Sequence, residues 1–132
     1  MGVNHELACV IDALDFQVQK LHMASQDHEG WDMEKLDYVE KQYKRYLYLW
    51  AVFPEKRIVP THDIDIFWHK HIVNTRNYHD DCQKVFGYYK HHRLYPGDMP
   101  EGERAKRAQE FEATKALYEE AFGEPIYYIE RA

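Results

Sequence analysis

The sequence predicts an all-α protein, a compact bundle of four to five helices. Apolar residues recur at helical spacing in several long stretches, and the prolines lie between those stretches rather than inside them. The chain has 132 residues, of which 45% are hydrophobic and 30% charged, which suits one globular domain with one core. We therefore expect residues 1–132 to form a single helical domain.

Residues 4–25 are predicted to form the first helix, with Asn4 as its N-cap. Its apolar stripe has i, i+3, i+4, i+7 spacing and consists of Leu7, Val10, Ile11, Leu14, Val18 and Leu21. Cys9 is close to this stripe, so we expect it to be a small buried hydrophobe. Residues 26–30 are polar and predict a loop, in which His28 is expected to be exposed.

Residues 32–53 are predicted to form the second helix, which Pro54 ends. Its buried stripe is expected to be Leu36, Val39, Tyr43, Tyr46, Leu47 and Trp50. One tyrosine of this helix is a candidate to face a functional site. The connector 55–60 follows, and its Ile58 and Val59 are expected to tuck under the core.

Residues 61–86 contain neither Gly nor Pro and predict a further helical region, with Thr61 as N-cap and a split near Thr75. Residues 88–102 are rich in Pro and Gly and predict an ordered loop, which Tyr88, Tyr89, Leu94 and Tyr95 would pack down as a lid. Residues 103–122 predict the last helix, with Gly123 as its stop signal. Its apolar face is expected to be Phe111, Leu117, Tyr118 and Phe122. A short apolar tail over 126–129 is expected to dock on the core.

Histidines are concentrated in the motif core, residues 60–92. Six of the nine histidines and one of the two cysteines fall between positions 62 and 92. This density is typical of a transition-metal site, for which zinc, iron and copper are the candidate ions. The favoured ligands are Asp65, His69, Cys82, His91 and His92. Secondary candidates are His62, Trp68, His71, Tyr78, His79 and Asp81.

Helical spacing ranks these candidates. On a regular helix His62, Asp65 and His69 share one face, and the i,i+4 pair Asp65 and His69 can reach one ion. His71 diverges from His69 by about 200°, so His69 ranks above His71 as a ligand. Asp65 could instead orient His69 through its other ring nitrogen.

A non-metal interpretation competes with the metal site. Trp68, His69, Tyr78 and Cys82 would then form a hydrogen-bonded buried core, with Asp65 or Asp81 satisfying the imidazoles. Exposed tyrosines would dock a partner protein, and the candidates are Tyr88, Tyr89, Tyr127 and Tyr128. Catalysis by Cys82 as a nucleophile with His79, and haem binding through His69 or His71, are weaker alternatives.

The net charge, hydropathy and cysteine content of the chain argue against several classes of function and location. A formal charge of −6 argues against nucleic acid as a partner. No apolar run approaches the roughly 20 residues of a membrane span, and the first residues do not resemble a signal peptide. Two cysteines give no disulfide framework, which favours a reducing, cytoplasmic environment. The expected partners are a small-molecule or peptide substrate, or a protein.

The motif core contains Asp-Ile-Phe-Trp-His-Lys-His at 65–71, followed by Tyr78, the pair Asp81-Cys82, Phe-Gly at 86–87 and His-His at 91–92. This motif resembles that of the glycine-rich-domain-containing-protein-like family. Short bacterial members share the Phe-Gly and His-His pairs, and usually carry a proline where this chain has Leu94. The resemblance covers about a quarter of the chain, and the glycine-rich region of the family is absent. It implies a module without a defined reaction.

These observations predict a small helical protein with a His, Cys and Asp metal site. A metal-dependent enzyme acting on a small molecule or peptide is the extension of this prediction. The alternative is a non-enzymatic interaction module with a hydrogen-bonded motif. The sequence leaves open whether the protein is an enzyme.

Overall fold

The computed structural model describes residues 4–26, 30–93 and 100–126. These residues form six α-helices and no strand, which confirms the all-α class with one helix more than expected. The helices are α1 (His5–Asp12), α2 (Gln17–Gln26), α3 (Met33–Val52), α4 (His62–Val73), α5 (Thr75–Val85) and α6 (Glu101–Phe122). Over the described ranges, none of them is long and apolar enough to cross a membrane.

Helix α3 is the centre of the fold and packs against the other five helices. Its N-cap is Asp32, whose side chain accepts a hydrogen bond from the N–H of Lys35. The predicted stripe is confirmed, since all six of its members are buried, and Gln42, Tyr48 and Leu49 are buried beside them. Tyr43, Tyr46, Tyr48 and Trp50 are among the buried residues of α3, so this helix supplies many of the aromatic rings of the core.

The predicted first helix is two helices, because the chain turns at residues 13–16. Leu14 and Phe16 are buried there, and the ring of Phe16 meets those of Tyr43 and His71 edge-on. The carboxylate of Asp15 accepts a hydrogen bond from the N–H of Gln17 and so starts α2. Burial of Phe16 thus takes precedence over helix continuity.

This break rotates the last two residues of the predicted stripe out of the core. Val18 and Leu21 are 71% and 53% exposed, whereas Gln19 and Met23 are buried in their place. The expectation that Cys9 is buried was also wrong, because the Cys9 side chain lies on the outer side of α1.

The histidine motif occupies α4 and α5, and the split predicted near Thr75 falls at Asn74. Thr61 caps α4 as expected, with its hydroxyl accepting a hydrogen bond from the N–H of Ile64. Ile58 and Val59, in the connector before α4, are buried as expected. The two motif helices therefore lie against α3, with the connector beside them.

Helix α6 starts two residues earlier than predicted and ends at Gly123, whose φ of 75° is the left-handed conformation that glycine adopts at low cost. Tyr118 is buried, while Phe111, Leu117 and Phe122 are half-buried. Ile126 is buried at the start of the predicted tail. The expectations for His28, Leu94, Tyr95, the rest of the lid over 94–99 and the tail over 127–129 lie outside the described residues.

Candidate functional site

His71 lies in the protein interior between two hydrogen-bonding partners. Its Nδ1 is 2.7 Å from the hydroxyl of Tyr43 on α3, and its Nε2 is 2.8 Å from a carboxylate oxygen of Asp81 on α5. A neutral imidazole protonated at Nε2 satisfies both contacts, with the Tyr43 hydroxyl donating to Nδ1 and Nε2–H donating to Asp81. Burial raises the pKa of the Tyr43 hydroxyl well above its ordinary value, which keeps it a donor.

A second hydrogen-bonded group centres on Tyr78 of α5. Its hydroxyl accepts a hydrogen bond from the indole Nε1–H of Trp68 at 3.0 Å and donates one to the backbone carbonyl of Lys90. The thiol of Cys82 contacts the same hydroxyl and the backbone N–H of Lys90. Burial raises the pKa of this thiol, so the thiolate form is disfavoured.

Lys90 is therefore held by its backbone, and its side chain extends over two indoles. The ammonium nitrogen lies 4.7 Å from the ring centroid of Trp50 and 5.5 Å from that of Trp68. Both distances are within the range of cation–π attraction. Burial lowers the pKa of the Lys90 ammonium.

His92 is fixed next to Lys90 by two contacts with α4. Its ring stacks on Trp68 at a centroid distance of 4.1 Å, and its Nε2 is 2.7 Å from a carboxylate oxygen of Asp65. The ring of His69 lies 6.4 Å from that of His92, at the edge of the same group. The segment 90–93 is thus held on motif side chains at Lys90 and at His92.

This segment forms one wall of a groove of about 520 Å³. The opposite wall is the connector before α4, and Trp50 and Trp68 lie beneath. Trp50 donates a hydrogen bond from Nε1 to the carbonyl of Ile58, and the hydroxyl of Tyr46 donates to the carbonyl of Val59. Both walls are consequently tied to the core.

The structure places Asp65 and His69 beside His92 but leaves Cys82 apart from them, inside the core. Nowhere in the described ranges do three His, Cys, Asp or Glu side chains form a group that could hold a metal ion. The physical reason is that the motif helices send their side chains in opposite directions. The buried candidates are Trp68, His71, Tyr78 and Cys82; the half-buried ones are Asp65, Asp81 and His92; the exposed ones are His62, His69, His79 and His91.

The two imidazoles that helical geometry separates are indeed on opposite sides of α4. His71 is the inward one and His69 the outward one, while the ranking of His69 above His71 as a metal ligand stays a prediction. Asp65 partners His92 rather than His69. His91 is exposed and packs its ring against Tyr89 at 4.9 Å.

Lys90 and the basic residues of the groove were not predicted. Lys56 and Arg57 precede the motif core and Arg93 follows it, about 35 residues apart along the chain but on facing walls of one groove. The signal that the sequence offered was two basic residues near each end of the motif core, Lys56 and Arg57 at one end and Lys90 and Arg93 at the other. Helical spacing could not place the two ends together, because no single helix contains both of them.

Comparison with known proteins agrees with the resemblance noted in the motif. The sequence profile of the UCP032817-like family matches residues 6–109. Glycine-rich domain-containing protein 1 of Arabidopsis thaliana is 30% identical over 118 residues, which are 86% of this chain and 14% of that protein. Glycine-rich domain-containing protein 2 of the same plant is 35% identical over 112 residues, 82% of this chain and 13% of the relative. No solved structure matches significantly.

The chain spans about one seventh of the length of these relatives, and the matched region includes the histidine motif. Only 6 of its 132 residues are glycine, so the feature that names the relatives is not what the chain shares with them. What they share is the helical segment itself, and the chain belongs to the UCP032817-like family.

Proposed function

We propose that this chain is a non-catalytic binding module, in which the histidine motif is a hydrogen-bonded core that seats the groove wall at 90–93. The observation that carries the proposal is the hydroxyl of Tyr78, which joins Trp68 of α4 to the carbonyl of Lys90. Through this contact the motif determines where the wall lies. The role of the motif is then to position a binding surface.

Two features of the motif support a structural role over a reactive one. His71 has both ring nitrogens engaged, by Tyr43 and Asp81, and is 2% exposed. Cys82 is equally buried and its pKa is raised by that burial, which makes it a poor nucleophile. Both side chains are buried and lack access to a substrate, and the thiol of Cys82 also resists ionisation.

The substitution Tyr78→Phe tests the proposal, because it removes one oxygen from the centre of this network. We expect the free energy of unfolding to fall by about 1–3 kcal/mol, since the indole N–H of Trp68 loses its acceptor. We also expect faster amide hydrogen exchange in residues 90–93, because their anchor is lost. Urea denaturation and hydrogen-exchange mass spectrometry measure the two effects.

Tyr88→Phe is the matched control, because Tyr88 is 48% exposed and close in sequence. Its free energy of unfolding is expected to stay within about 0.5 kcal/mol of the wild-type value. Unchanged exchange at 90–93 in Tyr78→Phe would mean that the motif does not hold this wall, and the proposal would be abandoned.

A metal centre is the second candidate function, and a different observation favours it. Asp65 and His69 both lie beside His92 at the groove edge, so rotation of the His69 side chain would bring two imidazoles and a carboxylate together. Zinc, iron or copper suit such ligands, and an open coordination position would provide the basis for an enzyme. Cys82, inside the core, would not take part.

Elemental analysis of protein purified without a His tag tests this candidate. A metal centre predicts near-stoichiometric metal in the wild type, its loss in His92→Ala, and its retention in His22→Ala, whose residue is exposed on α2. Absence of metal from the wild type after incubation with Zn²⁺, Fe²⁺ and Cu²⁺ would reject it.

A further inference from the structure

The groove concentrates positive charge on a protein that is acidic overall. The chain has 17 Lys and Arg against 23 Asp and Glu. The groove lining reverses this ratio, with five basic residues against two acidic ones. The basic residues are Lys56, Arg57, Lys90, Arg93 and Arg107. Random placement of charges on an acidic chain would favour the opposite sign.

From this reversal we infer that the groove is a binding site for a compact phosphate-bearing polyanion. The inference rests on the proposed binding function and names the class of ligand. A guanidinium group can donate two parallel hydrogen bonds to phosphate oxygens. Arg57 and Arg93 are both exposed and line the groove from its two connectors, and Arg57 lies 3.5 Å from a carboxylate oxygen of Glu110, a pair that a phosphate would have to displace. A ligand between them would be contacted from both sides.

Lys90 supplies a positive charge at the base of the groove. Its ammonium lies over two indoles and has already lost part of its hydration shell. Less water therefore has to be removed from the ammonium when a ligand binds. The cost of that desolvation is visible in the lowered pKa of the ammonium. An anion bound at this position would provide a counter-charge for the ammonium of Lys90.

Both walls are preformed, which favours binding of a small ligand. The connector is held by the contacts of its carbonyls with Trp50 and Tyr46, and the N–H of Val59 donates to the hydroxyl of Thr114 on α6. Preformed walls lose little conformational entropy when a ligand binds. The volume of about 520 Å³ lies within the range of small-molecule pockets.

Nucleic acid fits the groove less well than a small polyanion. Single strands are bound by stacking bases on open aromatic rings. Trp50 and Trp68 are 5% and 6% exposed, because Lys90 and His92 cover them, so no ring face is open for a base. The charge of −6 on the whole chain also opposes a long polyanion that extends beyond the groove.

Isothermal titration calorimetry with inorganic triphosphate tests the inference on the full chain. We expect saturable binding with one site at low ionic strength, weakening as salt is raised, because exposed charges are screened. Arg93→Gln and Arg57→Gln should each weaken binding about tenfold, the effect of losing one charged hydrogen bond. The double variant should show no measurable binding.

Arg76→Gln is the matched control, since it removes an exposed arginine on α5 that does not line the groove. Its triphosphate affinity should equal that of the wild type. Equal affinity in Arg76→Gln and Arg93→Gln would overturn the inference, as would tighter binding of an oligoglutamate peptide or a single-stranded oligoribonucleotide than of triphosphate.

The two proposals can fail separately. If Tyr78→Phe destabilises the wall as expected but the wild type binds no triphosphate, the ligand class is wrong and the binding module stands. If triphosphate binds and the groove variants weaken it, while Tyr78→Phe changes neither stability nor exchange, the site is established and the role assigned to the motif is wrong.

Discussion

His69 and His71 are two residues apart, yet they differ in almost every physical property that matters here. His71 is enclosed by the rings of Phe16, Tyr43 and Tyr78 and bonded through both nitrogens. His69 is exposed on the other side of α4. Counting histidines along the sequence does not distinguish the two, whereas in the structure only His71 is part of the interior.

The pair gives a prediction at the scale of single residues. His71→Ala should lower the free energy of unfolding by about 2–4 kcal/mol, because it creates a cavity and deprives Tyr43 and Asp81 of their partner. His69→Ala is the internal control and should stay within about 0.5 kcal/mol of the wild type. Urea denaturation followed by far-ultraviolet circular dichroism measures both, and equal losses in the two variants would contradict the arrangement described for His71.

At the scale of the element, the start of α4 decides how the motif is presented. Thr61 is 5% exposed and its hydroxyl, 3.2 Å from the N–H of Ile64, satisfies one of the donors left unpaired at a helix N-terminus. Asp63 and Asp65 follow in the first turn, where negative charge is favourable. The same turn therefore caps the helix and places Asp65 against His92.

Thr61→Ala should lower the free energy of unfolding by about 1–2 kcal/mol, because the buried N–H of Ile64 loses its acceptor. Thr61→Ser keeps the hydroxyl and should recover most of that loss. Thermal or urea unfolding of the two variants gives the comparison. A serine variant as unstable as the alanine variant would assign the effect to the methyl group of Thr61 and its packing instead of to the cap.

The same scale shows how far the sequence predicts this structure. The stripe of α3, the caps at Asn4 and Thr61, the split of α4 from α5 and the stop at Gly123 are all local signals, and the structure confirms each of them. The break before α2 is not local, since it exists to bury Phe16 against rings of α3 and α4. The helical periodicity of the sequence consequently predicts Val18 and Leu21 as core residues, although both are exposed in the structure.

For the candidate site the limit is similar. The non-metal interpretation grouped Trp68, Tyr78 and Cys82, which do share contacts, and named Asp81 as a partner for an imidazole. It placed His69 in this core, whereas the structure has His71 there and His69 exposed. Which of them face inward depends on the packing of α4 and α5 against α3. The groove could not be predicted, because its basic residues belong to two connectors and to α6, which meet only in the folded chain.

At the scale of the whole molecule, α6 links the end of the chain to the groove. Among the described helices it packs chiefly on α3, where the hydroxyl of Tyr118 accepts a hydrogen bond from Arg45. It is also attached to the connector before α4, since Thr114 accepts a hydrogen bond from the N–H of Val59 at 2.9 Å and donates one to the carbonyl of Glu110. A carboxylate oxygen of Glu110 also lies 3.5 Å from Nε of Arg57. A helix distant from the motif in sequence thus fixes the second wall.

Thr114→Val should therefore affect both stability and binding. The substitution keeps the shape of the side chain but leaves the buried N–H of Val59 without an acceptor, so the free energy of unfolding should fall by about 1–3 kcal/mol. Because Val59 belongs to the groove wall, triphosphate affinity should fall as well, measured at a temperature where the variant is fully folded. Thr75→Val, an exposed threonine at the start of α5, is the control and should change neither quantity. Loss of stability with unchanged affinity would mean that the connector keeps its position without the hydrogen bond to Thr114, held by Trp50, by Tyr46 and by the pairing of Arg57 with Glu110.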